Sequence, residues 1–135
     1  MSVQLDHFIV PSRDAKASAR MLAGLLDVPW GVATAGPFIA VYLNEGLTLD
    51  YIDTEEDFPV SHYCFRVTDA QFDGILARLR EAKIPFRSTV RGPMDMQVSH
   101  YMGGRGIYWN EPDGHQWEIL TASYARAPLA PGAPG

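Results

Sequence analysis

The chain has 135 residues, of which 47% are hydrophobic and 20% are charged, and its formal net charge is −5. These values are typical of one globular domain with a substantial core, and the acidic balance disfavours nucleic acid as a partner. The chain contains no run of about 18 apolar residues that would predict a membrane span and no recognisable secretory signal. Because Cys64 is its single cysteine, an internal disulfide is excluded and a cytoplasmic location is expected.

The first half of the chain predicts a strand, a helix and a hairpin, in that order. Residues 4–10 form an apolar-rich run that predicts the strand, and Asp14 is a favourable N-cap for a helix that extends to about residue 26. Residues 38–43 and 47–52 are two further apolar runs joined by a short turn that contains glycine. This pattern predicts a β-hairpin.

The second half predicts the same order of elements with a less regular middle. Residues 61–67 predict a strand, and Asp69 is expected to cap a helix with an apolar stripe. Residues 86–102 contain a Gly-Pro break and several methionines, so we expect a flexible or functional loop with at most a short strand. Residues 105–109 and 115–121 predict the last two strands, separated by a turn.

The two halves are faint copies of each other, displaced by 55 residues, because His7 and Asp14 correspond to His62 and Asp69. A repeat of this size predicts two βαβββ modules. Neither module has enough core to be stable alone, so we expect the two to close into a curved, half-barrel mixed sheet with helices outside. The fold class is therefore α+β, and the concave face of the sheet is the expected ligand site.

We expect a single domain over residues 1–126, with module one at about residues 4–53 and module two at about residues 61–122. The tail at residues 127–135, which consists almost entirely of Pro, Gly and Ala, is expected to be disordered. Open curved sheets expose strand edges and an apolar flank, so a homodimer is also expected.

Three residues form a candidate metal site. His7 and His62 lie in the equivalent first strands of the two modules, and Glu118 lies between Trp117 and Ile119 in the last predicted strand. Strand alternation places the Glu118 carboxylate on the face opposite these two apolar side chains, where it meets solvent or a cavity. Two imidazoles and one carboxylate on one side of an ion suit Fe²⁺, Mn²⁺, Zn²⁺ or Ni²⁺ and leave positions for water or substrate.

Residues 103–120, G-G-R-G-I-Y-W-N-E-P-D-G-H-Q-W-E-I-L, resemble the C-terminal motif of the vicinal oxygen chelate superfamily. This superfamily includes glyoxalase I, fosfomycin-resistance proteins, bleomycin-resistance proteins and extradiol dioxygenases, and the resemblance extends over nearly the whole chain. It implies that His7, His62 and Glu118 hold a divalent metal. It also implies that Tyr108 is a catalytic residue that donates a hydrogen bond to a substrate oxygen.

The chain departs from two groups within that superfamily. Asp50 stands where glyoxalase I has a longer fourth ligand, and Ile9 stands where the fosfomycin enzymes have threonine. Bleomycin-binding members lack the metal ligands altogether. The leading hypothesis is a metal-dependent enzyme of the glyoxalase or extradiol-dioxygenase type that acts on a small oxygen-chelating substrate. The alternative is a metal-free protein that binds small molecules or sequesters a drug.

Overall fold

The structure, a computed structural model, describes residues 2–125, so the predicted disorder of residues 127–135 lies outside the described residues. In chain order the elements of the described part are β1 (His7–Ser12), α1 (Ala15–Leu26), β2 (Trp30–Val32), β3 (Ile39–Asn44), β4 (Leu47–Asp53), β5 (His62–Arg66), α2 (Asp69–Glu81), β6 (Gly106–Asn110) and β7 (Gln116–Leu120). The predicted α+β class with two related modules is confirmed. None of the helices in the described residues is long and apolar enough to cross a membrane.

The first module is a mixed four-stranded sheet in the order β1-β4-β3-β2, with α1 against one face. The Asp14 side chain accepts a hydrogen bond from the Ala17 amide at 3.1 Å, as expected of an N-cap. The first strand begins later than predicted and continues through Pro11, since its pairing partner β4 extends to Asp53. Pro11 is tolerated because β1 is an edge strand, whose outer side needs no amide donor.

The second module is a three-stranded sheet in the order β5-β7-β6, with β5 parallel to β7. Its helix is capped by Thr68, not by Asp69 as expected, because Thr68 and Gln71 form a reciprocal capping box. The expected further strand is reduced to isolated bridges from Arg87 and Ser99 to β6. The loop between them places Met96 in the left-handed region (φ 57°), which interrupts an extended chain.

The core lies between the helices and one face of each sheet. The members of this cluster are fully or almost fully buried; they include Val10, Leu49 and Tyr51 from the first sheet, Ile107, Trp117 and Ile119 from the second, and Leu22, Phe72, Ile75 and Leu79 from the helices. Because side chains alternate along a strand, the other face of each sheet is turned away from the helices. Within residues 2–125 no helix packs on this second face, the open face of each sheet.

The turn between β6 and β7 joins the two modules. Buried His115 accepts a hydrogen bond at Nδ1 from the Ser61 amide (3.0 Å) and donates one from Nε2 to the Pro11 carbonyl (2.9 Å). Asp113 accepts hydrogen bonds from the Arg13 amide at 2.9 Å and, with its other oxygen, from a hydroxyl of α1 at 3.0 Å. These contacts hold module two against the beginning of module one.

Candidate active site

The open face of the second sheet brings a histidine and a glutamate together. His62 lies on β5 and Glu118 on β7, and the distance between His62 Nε2 and Glu118 Oε1 is 3.0 Å. Glu118 is buried, with only 2% of its surface exposed. Its neighbours Trp117 and Ile119 are also buried, but on the opposite face of the strand, in the core. A buried carboxylate is stable only when neighbouring groups compensate its charge or donate hydrogen bonds to it, and His62 is one such partner of Glu118.

Tyr124 supplies the remaining hydrogen bonds to the buried carboxylate. Its hydroxyl lies 2.8 Å from Glu118 Oε1 and 2.7 Å from Oε2, and the Tyr108 hydroxyl is 3.4 Å from that of Tyr124. The sequence analysis missed Tyr124. It lies after the last strand, in a segment without periodicity and without a counterpart in the repeat, so no sequence signal pointed to it.

Tyr108 lies directly opposite Glu118 in the β6–β7 ladder, so both side chains share the open face. The centroid of its ring is 6.1 Å from that of His62. Burial raises the pKa of Tyr108 above its ordinary value, and the negative charge of Glu118 adds to this effect. The phenol therefore remains protonated at neutral pH and is available as a hydrogen-bond donor.

A cavity of about 240 Å³ lies over this group. Its walls include Glu118, Tyr108 and Tyr124, together with four residues of the loop between α2 and β6: Val90, Ser99, Tyr101 and Arg105. Arg105 forms ion pairs with two aspartates of α2 at 2.7 and 3.0 Å, so its charge is compensated outside the cavity. The cavity therefore combines one carboxylate with several phenol groups.

Cys64 lies beside Glu118 on the same face but is not an activated nucleophile. The side chain reaches solvent, yet partial burial and then the negative charge of Glu118 raise the pKa of the thiol to about 12. Because the thiolate is the reactive form, this raised pKa disfavours Cys64 as a nucleophile at neutral pH.

His7 lies on the open face of the other sheet. Its side chain is 59% exposed, and its Nδ1 atom is 2.7 Å from Asp6 Oδ2, a hydrogen bond that raises the pKa of the imidazole. It lines a separate cavity of about 410 Å³ together with Thr48 and Asp50. Asp50 is paired with Ile9 in the β1–β4 ladder, so its side chain lies on the same face of the sheet as that of His7. A single chain thus leaves His7 and Asp50 on one sheet and the His62 pair on the other.

The pair of His62 and Glu118 fits two positions of a metal site. Two ligands at right angles, each about 2.1 Å from an ion, are separated by about 3.0 Å, and this is the observed distance between the two donor atoms. Among residues 2–125 of one chain, no three His, Cys, Asp or Glu side chains converge closely enough to hold a metal ion. The described residues of one chain therefore bring together two candidate ligands, not three.

Two proteins of solved structure are similar to 93% of this chain. Oxidase ChaP-H2 is 42% identical, with 98% of that chain covered and a TM-score of 0.84. Oxidase ChaP-H1 is 37% identical, with 100% of that chain covered and a TM-score of 0.83. The chain belongs to the vicinal oxygen chelate superfamily. The resemblance predicted from residues 103–120 is thereby confirmed.

Other members of the superfamily share the fold at lower identity. FosX, a fosfomycin-resistance protein from Mesorhizobium loti, is 22% identical with a TM-score of 0.67, and 92% of this chain and 96% of that chain are covered. A glyoxalase/dioxygenase from Nostoc punctiforme is 20% identical with a TM-score of 0.66, and 89% and 91% are covered. No protein-family model and no curated protein matches the chain. At 22% and 20% identity, FosX and the Nostoc punctiforme protein show only that the fold is shared.

Proposed function

We propose that this protein is a divalent-metal-dependent oxidase that acts on a small substrate with two adjacent oxygen atoms. The observation that carries the proposal is the His62–Glu118 pair, whose donor atoms are 3.0 Å apart on the open face of the second sheet. The two similar proteins described as oxidases favour oxidation over isomerase or lyase chemistry. Fe²⁺ is the leading candidate for the ion, ahead of Mn²⁺, Zn²⁺ and Ni²⁺, since two histidines and one carboxylate are the ligand set of non-haem Fe²⁺ oxygenases, and Zn²⁺ has no redox chemistry.

We further propose that the enzyme is a homodimer in which His7 of one subunit completes the site of the other. β1 and β5 are the edge strands of their sheets, and neither is paired on its outer side in the described chain. Each strand carries one histidine on the open face of its sheet. Pairing β1 of one subunit with β5 of the partner would join the two open faces into one cup and place His7 beside the pair.

Exposed apolar side chains along these two edges support the same association. Leu5, just before β1, is 63% exposed, Ile9 within β1 is 50% exposed, and Val60 just before β5 is 62% exposed. Isolated exposed apolar residues are ordinary, but several along two unpaired strand edges are typical of an interface. A twofold axis would bury both edges and form two equivalent sites per dimer.

The residues of the cavity suit the binding of a hydroxylated, planar substrate. A bound divalent metal would supply Lewis acidity and, as Fe²⁺, activation of O₂. His62 and Glu118 would hold the ion, with His7 as the third ligand. Tyr108 would donate a hydrogen bond to a substrate oxygen, because its raised pKa keeps the phenol protonated. The aromatic walls would stack on the substrate and exclude water.

The test is metal content and O₂ consumption of protein purified without chelator or affinity tag. We expect about one divalent ion per subunit, and O₂ uptake after anaerobic loading with Fe²⁺ when vicinal dihydroxy aromatic compounds are supplied. His62→Ala should lose the metal while retaining the circular dichroism of the wild type. Retention of metal by this variant, or metal binding without any O₂ uptake across such compounds, would contradict the proposal.

A metal-free binding protein is the second candidate, and one observation favours it. In a single chain, Tyr124 and His62 already bond to both oxygens of the buried Glu118 carboxylate. Such a protein would bind its ligand in the same cup without an ion. Wild-type protein that takes up no Fe, Mn, Zn, Co or Ni above buffer level would contradict the metal-dependent proposal and leave this alternative.

A further inference from the structure

We propose that Arg87 is a specificity-determining residue that selects substrates carrying a carboxylate, an inference that rests on the proposed function and adds the charge of its substrate. The Arg87 guanidinium lies beside the open face of the second sheet, where it contacts Asn110 of β6. The substrate carboxylate would take the place next to Arg87 that the Val90 carbonyl occupies in this structure.

Arg87 is a buried cation whose contacts are all with neutral groups. The residue is 7% exposed, and its guanidinium donates to Asn110 Oδ1 at 2.8 Å, to the Val90 carbonyl at 3.2 Å and to Met94 Sδ at 3.5 Å. Its Nε atom is buried and has no hydrogen-bond partner among residues 2–125, and none of the ion pairs in this part of the chain includes Arg87. Because arginine is almost never buried unless an opposite charge pairs with it, an anion would stabilise this position.

Strand pairing places Arg87 on the same face as the His62–Glu118 pair. Arg87 forms an isolated antiparallel bridge with Tyr108, and Tyr108 is in turn paired with Glu118 in the β6–β7 ladder. Residues directly opposite each other on antiparallel strands direct their side chains to one face of a sheet. The side chains of Arg87, Tyr108 and Glu118 therefore share the open face, with Arg87 beyond β6 and Glu118 on the central strand.

Two side-chain donors converge on the carbonyl oxygen of Val90. Gln116 Nε2 donates to this oxygen at 2.8 Å and Arg87 Nη2 at 3.2 Å. Gln116 is paired with His62 on β5 and with Asn110 on β6, so it lies between them on the open face. Val90 also lines the cavity of about 240 Å³. A ligand oxygen in the place of this carbonyl would therefore receive the same two hydrogen bonds at the border of the cavity.

The loop that supplies the carbonyl is exposed, so a ligand can replace it. Val90 is 49% exposed and Met94 is 42% exposed, and the Gly92-Pro93 break lies between them. A guanidinium prefers a carboxylate to a carbonyl, because a hydrogen bond to an ionised acceptor is about twice as strong as one between neutral groups. A substrate carboxylate would therefore displace the Val90 carbonyl and compensate the buried charge of Arg87.

One small aromatic substrate is long enough to reach both Gln116 and the His62–Glu118 pair. Gln116 is paired with His62, and neighbouring strands are about 4.8 Å apart. A single aromatic ring with its substituents extends over such a distance. The inferred substrate class is therefore a planar aromatic compound with two adjacent hydroxyl groups and a carboxylate on the opposite side of the ring.

The test compares two probes of nearly the same shape but different charge, the dihydroxybenzoate protocatechuate and its neutral amide. Their dissociation constants are measured by isothermal titration calorimetry on metal-free protein and on protein loaded with redox-inactive Zn²⁺. Wild-type protein should bind the acid about ten- to one-hundredfold more tightly than the amide. Arg87→Gln should reduce this ratio to less than about threefold, because the neutral side chain offers no charge-assisted hydrogen bond.

Arg91→Gln is the matched control. Arg91 is an exposed arginine of the same loop, so its replacement changes the net charge equally but leaves the buried guanidinium in place. This variant should keep the wild-type preference for the acid. If Arg87 only held the loop in place, Arg87→Gln would weaken the binding of both probes alike and leave their ratio unchanged, which would contradict the proposal.

Wild-type protein decides the inference even if Arg87→Gln does not fold. Equal affinity for acid and amide, or no binding of either probe in either form of the protein, would overturn it. Equal losses of preference in Arg87→Gln and Arg91→Gln would also overturn it, because they would reflect net charge alone. A preference that is lost in Arg87→Gln and kept in Arg91→Gln would support the role of Arg87.

The proposed function is judged separately, by metal content and O₂ uptake. Fe²⁺-loaded protein that consumes O₂ with the amide as readily as with the acid would overturn the inference alone. Protein that takes up no metal but prefers the acid through Arg87 would overturn the proposed function alone, with the anion site retained.

Discussion

The proposed intersubunit site makes a quantitative prediction for mixtures of two variants that should each fail to bind metal. On this proposal, His7→Ala and His62→Ala would each remove one ligand from every site of their own homodimer. In a heterodimer of the two variants, one site lacks both histidines, but the other combines the intact His7 of one subunit with the intact His62 and Glu118 of its partner. Mixing should therefore restore metal binding that neither variant shows alone.

The expected magnitude follows from the twofold arrangement. If equal amounts associate at random, about half of the dimers are heterodimers, and each contains one intact site out of two. The mixture should thus bind about one quarter of the metal bound by the wild type. Heterodimers selected with two different, subsequently removed tags should bind about one half. A site built within a single chain would give no restoration, since each chain lacks a ligand.

The assay is metal per subunit by mass spectrometry of protein that has been unfolded, mixed, refolded and passed through gel filtration. The dimer should elute at about twice the 14.9 kDa of one chain. An unrestored mixture of folded, dimeric variants would refute the intersubunit site. Full metal retention by His7→Ala alone would show that His7 is not a ligand, and a monomeric mass for the wild type at micromolar concentration would refute the dimer.

Two further predictions concern stability. His115→Ala should lower the free energy of unfolding by about 2 to 3 kcal/mol, because it removes two buried hydrogen bonds that join the modules; exposed His100→Ala should change it by less than about 0.5 kcal/mol in the same urea titration. Burial, then the charge of Asp113, raises the pKa of Glu111 from 4.5 to about 7, so the folded chain holds a proton that the unfolded chain releases. The contribution of the Glu111 carboxyl to the free energy of unfolding is therefore complete below pH 4.5 and is lost as the pH rises through about 7. The melting temperature should fall over this range, and a wild-type profile no steeper than that of Glu111→Gln would contradict the assignment.

The secondary structure was largely predictable because hydrophobic periodicity reports burial directly. The helix after Asp14 and the β3–β4 hairpin follow from apolar spacing and a turn glycine. The bounds of β1 were wrong because pairing with β4, not local composition, sets them. The predicted cap of α2, Asp69, is wrong because Thr68 and Gln71 form a reciprocal capping box one residue earlier, which places Asp69 in the first turn.

The site was predictable only where strand geometry constrains it. Alternation along β7 placed Glu118 opposite Trp117, and the structure has that arrangement. The short distance between Glu118 and His62 depends on the parallel pairing register of β5 and β7. The sequence repeat predicts the order of the strands but not this register. Tyr124 lies beyond the last strand, so its approach to the carboxylate depends on a bend that leaves no periodic signal.

The repeat reveals that His7 and His62 are equivalent, but it cannot reveal whether they meet within one chain or between two. The path of the connector between the modules bears on this question. Here Arg13 donates hydrogen bonds to the carbonyls of Thr54 (3.0 Å) and Glu56 (2.7 Å) and lies 4.7 Å from the centroid of the Phe58 ring. These contacts fix the path of the connector while β1 and β5 stay unpaired with each other. A few contacts in an exposed segment, without any pattern of their own, thus accompany the separation of the two histidines onto different sheets, as the proposed dimer requires.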